Sequence, residues 1–167
     1  MDVRTDLSST QKGKVTESLV ACTLMLASNG RLSPFVPISD DHGIDLIVLD
    51  KLTHRSIAVQ IKSAIANPDR STVQFDVRRA THSETGDRYL LAVLFDPVRV
   101  SLAMSWLIPM SKVPEISVET IGKFALSPST SLTSRDRYRS FRHDDAATLA
   151  QAVLAAINHV PSTCGDE

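Results

Sequence analysis

The chain has 167 residues, 43% of them hydrophobic, and a formal net charge of −1; this is enough for one compact domain with a full core, and any surface that meets nucleic acid has to be local. Cys22 and Cys164 are the only cysteines, which excludes a disulfide framework and a zinc site. The opening MDVRTDLSSTQKGK lacks the apolar centre of a signal peptide and no apolar run approaches the roughly 18 residues of a membrane span, so a soluble, cytoplasmic protein with no membrane partner is expected.

In chain order, Ser8 or Ser9 to Asn29 reads as a helix, opened by polar capping residues and closed by Gly30. Val15, Leu19, Cys22 and Leu26 form one stripe, and Val20, Ala21 and Leu24 lie on the opposite side. A helix apolar on both sides is expected to pack on both sides. Glu17 falls one turn before Val20, Ala21 and Leu24. It either reaches a partner across that face or is an ordinary first-half helix acid paired with Lys14 or Lys12. Pro34 to Ile38 is a short strand that its prolines suit to an edge. Asp40, Asp41 and His42, in SDDHG, read as turn chemistry.

Residues 43 to 63, GIDLIVLDKLTHRSIAVQIKS, carry the functional signal. Ile44, Leu46 and Val48 alternate with Asp45, Ile47 and Leu49, so both faces of this strand are expected to be buried. After the polar turn Lys51 to His54, Ile57, Val59 and Ile61 alternate with Ser56, Ala58, Gln60 and Lys62. A turn of that length joins antiparallel strands and brings Asp45 level with Gln60 and Lys62. A carboxylate, an amide oxygen and an ammonium at one strand end suit a divalent cation and a phosphate; a buried Asp–Lys ion pair of purely structural kind is the alternative.

TVQFDVRR reads as a third strand with Val73, Phe75 and Val77 on one face. Tyr89 to Phe95, almost wholly apolar, belongs at the sheet centre. Arg99 to Trp106 is a further strand, and IPMSKVPEIS is limited by Pro109 and Pro114 to a short helix or turn. The tail, about residues 133 to 160, holds a basic segment and a second helix. Arg135, Arg137, Arg139 and Arg142 interleave with Tyr138 and Phe141, a mixture that grips a phosphate backbone or, more plainly, makes a solvated stretch paired with Asp136 and Asp144. From Asp144 or Asp145 onward, Leu149, Val153 and Ile157 form the apolar stripe of the helix. The whole describes an α/β or α+β fold, a mixed sheet flanked by helices, within one domain spanning residues 1 to 167.

Glu17 on the first helix, Asp45 on a strand and Gln60-Ile61-Lys62 on the next strand resemble the PD-(D/E)XK nuclease superfamily over about residues 9 to 110. The resemblance implies a restriction-endonuclease-like core of about four strands with a helix on either side, and hydrolysis of phosphodiesters in nucleic acid, DNA in particular. It also implies magnesium or manganese held by Glu17, Asp45, Gln60 and the backbone carbonyl of Ile61, with Lys62 orienting water or stabilising charge on the phosphate. Gln60 departs from the usual Asp or Glu and lowers the negative charge of the site by one unit. Gln-x-Lys is similar to the Mrr-type branch. Ile44 stands where the family's proline is often found.

Two other readings compete: a nuclease-fold module that binds nucleic acid or a protein partner without cleaving, and an unrelated domain in which Glu17, Asp45 and Lys62 form a buried network and the apolar helix forms a homodimer. No phosphate-binding Gly-rich loop or nucleophile elbow is present.

Overall fold

The computed structural model describes residues 7–39 and 42–160. Asp40, Asp41 and Cys164 lie outside the described residues. The first helix, α1, is Ser9–Ala27. It starts where the Ser8 hydroxyl accepts from the Gln11 N–H and the Gln11 side chain accepts from the Ser8 N–H, a reciprocal cap. It ends where Gly30, at φ 77°, donates its N–H to the Met25 carbonyl.

The strands are β1 (Leu32–Phe35), β2 (Leu46–Asp50), β3 (Arg55–Ile65), β4 (Phe75–Arg78), β5 (Arg88–Asp96), β6 (Ser101–Pro109), β7 (Val118–Thr120), β8 (Lys123–Leu126) and β9 (Arg142–His143). Helix α2 (Val113–Ile116) precedes β7, and α3 (Ala146–His159) follows β9. Six strands make the main sheet in the order β1-β2-β3-β5-β6-β9, antiparallel except where β3 runs parallel to β5. A parallel neighbour needs a long crossover. Here the connection from β3 to β5 carries β4, which leaves the main sheet and pairs with β8 in a small sheet ordered β4-β8-β7.

The fold is therefore α+β with a central mixed sheet, and its two faces are covered unequally. On one face Val20 and Leu24 of α1 and Leu149, Val153 and Ile157 of α3 pack on Leu46, Val48, Ile57, Val59, Ile61, Leu91 and Val93. On the other, Leu90, Ala92, Leu94, Met104, Trp106 and Ile108 meet Phe75 and Val77 of β4, Phe124 and Leu126 of β8, and Val113 and Ile116 of α2. β5 contributes to both cores, as its unbroken apolar run requires.

Three expectations are corrected in detail. TVQFDVRR does not join the main sheet; only Phe75–Arg78 is extended, in the small one. α1 packs on a single face: Thr16, Val20 and Leu24 are buried, whereas Val15, Cys22, Met25 and Leu26 are exposed, because α3 occupies the adjoining sheet surface and no other described element covers the outer side. β2 is buried on the helix side alone; Ile47 is exposed, because the small sheet does not extend over this end of the main one. Among the described residues no helix is long and apolar enough to cross a membrane.

The hairpin is fixed at its far end by a buried ion pair. Asp50, the last residue of β2, is fully buried and accepts from the Arg31 guanidinium through both oxygens, at 2.9 and 2.7 Å. The Leu52 N–H and Thr53 hydroxyl supply two further bonds. The Arg31 hydrogen bonds, against the opposing effect of burial, hold the Asp50 carboxyl well below the usual carboxylate range. A carboxyl depressed on folding contributes stability above its unfolded pKa of about 3.9 and loses it as pH falls below that value. Thermal melts of Asp50→Asn are expected to show a lower midpoint than wild type at pH 7, and the gap is expected to narrow as pH drops below about 4. An unchanged midpoint at pH 7 would remove this pair from the account.

Candidate active site

The site lies at the opposite end of the same hairpin. Asp45 stands just before β2, and its N–H makes the hairpin's last backbone bond, 2.9 Å to the Val59 carbonyl. The next amide of β3 that faces β2, that of Ile61, has no main-chain partner there, because the chain diverges at Gly43 (φ 64°). The Asp45 side chain takes its place: Oδ2 accepts from the Ile61 N–H at 2.6 Å. In an extended strand the N–H and C=O of one residue leave on the same side, so the Ile61 carbonyl faces the same gap beside Asp45.

Gln60 points to the other face of β3 from Ile61 and is 4% exposed. Its Nε2 donates to the Thr81 hydroxyl at 3.3 Å, and that hydroxyl donates onward to the Arg78 carbonyl at 3.1 Å. With its hydrogen spent on Arg78, Thr81 can only accept, which orients the amide. Oε1 is left buried with no hydrogen-bond partner among the described residues. An unsatisfied buried acceptor costs on the order of 1–3 kcal/mol, so this oxygen is suited to a donor or a cation.

These groups line one pocket of about 300 Å³ with Gly43, Lys62, Arg78 and Thr81. The hairpin thus brings Asp45, Gln60 and Lys62 together at one cavity. The half-buried Lys62 also faces Asp76, whose carboxyl lies below its ordinary range through hydrogen bonds from Lys123 and Gln74 and, in smaller part, through the Lys62 charge. Gly43 is required by space as well as by its positive φ. A Cβ there would stand 2.6 Å from Gln60 Nε2 and 2.8 Å from Thr81 Cβ.

Glu17 is not among the residues that line this pocket. Its carboxylate accepts from the Lys14 ammonium at 2.7 Å on the same helix. Among the described residues no group of three His, Cys, Asp or Glu side chains is placed to hold a metal. His42 serves the turn, its carbonyl accepting from Arg88 at 3.1 Å. In the tail, Arg135, Arg137 and Arg139 are exposed. Tyr138 is 6% exposed and belongs to the core, its hydroxyl donating to the Ile116 carbonyl and accepting from the Ser127 N–H. Arg142 binds the Ser131 and Leu132 carbonyls at 2.7 and 2.9 Å and pairs with Asp144. Arg139, though exposed, donates to the Leu132 carbonyl at 3.4 Å and lies 3.9 Å from Asp144, so of the five residues of this segment only Arg135 and Arg137 are exposed with no side-chain partner among the described residues.

Arg78 and Thr81 are site residues that reading the sequence did not find. Arg78 ends β4 and Thr81 follows it, and their approach to β3 depends on β4 crossing over the main sheet, a tertiary event with no local signature. The pair Arg78-Arg79 was visible as the end of a strand, but not that the two divide their tasks. Arg79 pairs with Glu119 and lies over the Phe124 ring, whereas Arg78 reaches the pocket.

No family model matches this sequence, and no curated protein matches it. Among solved structures the chain is similar to a bacterial homing endonuclease, I-Ssp6803I, with a TM-score of 0.57 and 17% sequence identity over 89% of this chain and 95% of that one. The likeness is one of fold: the arrangement of sheet and helices is nuclease-like.

Gly43→Ala is expected to destabilise the protein by about 1–2 kcal/mol through the left-handed backbone alone, and to expel the Gln60 amide from its seat on Thr81. Denaturant unfolding measures the first effect. Loss of the second is read from the Gln60 side-chain amide signals in NMR, which are expected to move; unchanged signals would contradict the packing described.

Proposed function

We propose that this protein is a metal-dependent nuclease of the PD-(D/E)XK kind, nearest the Gln-x-Lys, Mrr-type branch, and that it hydrolyses phosphodiester bonds of nucleic acid, DNA in the first instance, in the cytoplasm. The observation that carries the proposal is the buried Gln60 Oε1, which has no hydrogen-bond partner among the described residues, on a residue that lines one pocket together with Asp45 and Lys62. The nuclease-like fold supports the same reading.

The donors suit magnesium or manganese. Asp45 offers a carboxylate, Gln60 an amide oxygen and Ile61 a backbone carbonyl, all hard oxygens, and magnesium is commonly held by one or two carboxylates with water and substrate phosphate completing its shell. Glu17 joins this set as a further ligand on condition that it exchanges Lys14 for the metal. When bound, the cation would polarise the phosphate and lower the pKa of an attacking water. Asp45, anchored by the Ile61 N–H, is held at a fixed orientation before any ligand arrives. Lys62 brings an ammonium to the same pocket, where it donates to a phosphate oxygen and stabilises the charge that develops as the water adds.

A second reading is favoured by one specific feature. Gln60 is neutral, so among the described residues Asp45 is the single carboxylate in a pocket that also holds Lys62 and Arg78. Such a pocket suits an anion, and a module that binds nucleic acid without cutting it would have the same composition.

Plasmid nicking in magnesium separates the two. Asp45→Ala is expected to abolish nicking and Lys62→Ala to slow it by at least about a hundredfold, while both retain the wild-type circular dichroism. Nicking by wild type that survives in Asp45→Ala, or a wild type that does not nick in magnesium or manganese, contradicts the nuclease reading; the latter leaves the binding module.

A further inference from the structure

We infer that Arg78 is a phosphate-binding residue, and that with Lys62 it captures a nucleic-acid phosphodiester before and without any metal. This rests on the reading of the pocket as a nuclease site and extends it to a residue that the Gln-x-Lys pattern does not contain.

The argument begins with the other cations near the small sheet. Lys123 is paired with Asp76, Arg79 with Glu119, and Lys112 with Glu115. Arg78 and Lys62 differ: among the described residues neither makes an ion pair, and both line the pocket of Asp45 and Gln60. Lys62 reaches it from β3 in the main sheet and Arg78 from the end of β4 in the small one. Among the described residues that line the pocket, two cations stand against one carboxylate, a formal charge of about +1, which attracts a phosphate even when no divalent ion is present.

Arg78 is also held in place by its backbone. Its carbonyl accepts from the Thr81 hydroxyl, the same hydroxyl that receives the Gln60 amide. The single turn Arg79–Thr81 is tied down by the Arg79 N–H to the Gly122 carbonyl. The guanidinium is thus carried on a fixed base, while its exposed head remains free to take two oxygens of one phosphate in a fork. The site so defined recognises a phosphodiester by charge and geometry.

The test is binding of short fluorescent DNA and RNA duplexes of the same sequence, in EDTA, over a series of salt concentrations. Wild type is expected to bind at least one duplex at low salt. Arg78→Ala is expected to bind it about tenfold more weakly and to lower the slope of log K against log salt by about one. Arg78→Lys is expected to restore the slope but only part of the affinity. Lys112→Ala, which removes a cation already paired with Glu115, is the control and should change neither. Asp45→Ala should bind as well as wild type or better in EDTA, since it removes the opposing charge. Two results overturn the inference: no binding of either duplex by wild type, or an Arg78→Ala protein with wild-type affinity and slope. The nicking of Asp45→Ala in magnesium is read on the same samples. If that nicking is lost while Arg78→Ala still binds normally, the inference about Arg78 fails and the nuclease reading stands; if Asp45→Ala still nicks, the nuclease reading itself fails.

Discussion

The site depends on one substitution in a hydrogen-bond ladder: where β2 stops pairing with β3, a side chain replaces the missing main-chain acceptor. The Asp45 carboxylate takes the Ile61 N–H at 2.6 Å, so the edge of β3 remains satisfied although the strand beside it has ended. That bond fixes the carboxylate beside the Ile61 carbonyl, at the end of the hairpin. Everything chemical in the proposed site is arranged around this point.

β3 divides its side chains between two tasks. Ile57, Val59 and Ile61 go into the core beneath α1 and α3. Gln60 and Lys62 go to the opposite face, where β4 and the turn after it supply Thr81 and Arg78. The strand is thus anchored by apolar burial on one side, so that it can carry a buried amide and an ammonium on the other. The Arg31–Asp50 pair at the far end adds a second anchor, tying the start of β1 to the turn of the hairpin. At position 60 a Gln whose oxygen has no partner among the described residues is a local loss of stability, carried by a strand that is well anchored elsewhere.

Much of this was legible in the sequence because it rests on local pattern. Period-two alternation on both sides of a four-residue turn located the hairpin and aligned Asp45 with Gln60. The unbroken apolar run from Tyr89 to Phe95 located the central strand, and the stripe of Leu149, Val153 and Ile157 located α3 with its buried face. What was not legible rests on long-range choice. Asp50 and Arg31 each look like ordinary turn residues, and their pairing is set by the antiparallel register of β1 on β2. The exposed side of α1 is apolar by sequence yet uncovered by any described element. Tyr138 has the composition of a stacking platform but is consumed by the Ile116 carbonyl and the Ser127 amide. Glu17, an attractive ligand by position on α1, is engaged by Lys14 three residues away, as the plainer of its two readings had it.

The most direct test of the central claim, that Asp45 and the Gln60 oxygen form a cation site, is manganese titration by calorimetry on wild type, Asp45→Ala and Gln60→Glu. The account predicts one saturable site in wild type, no heat in Asp45→Ala and tighter binding in Gln60→Glu, where the amide oxygen gains a charge. Binding that persists in Asp45→Ala, or a wild type that takes up no manganese, would contradict it.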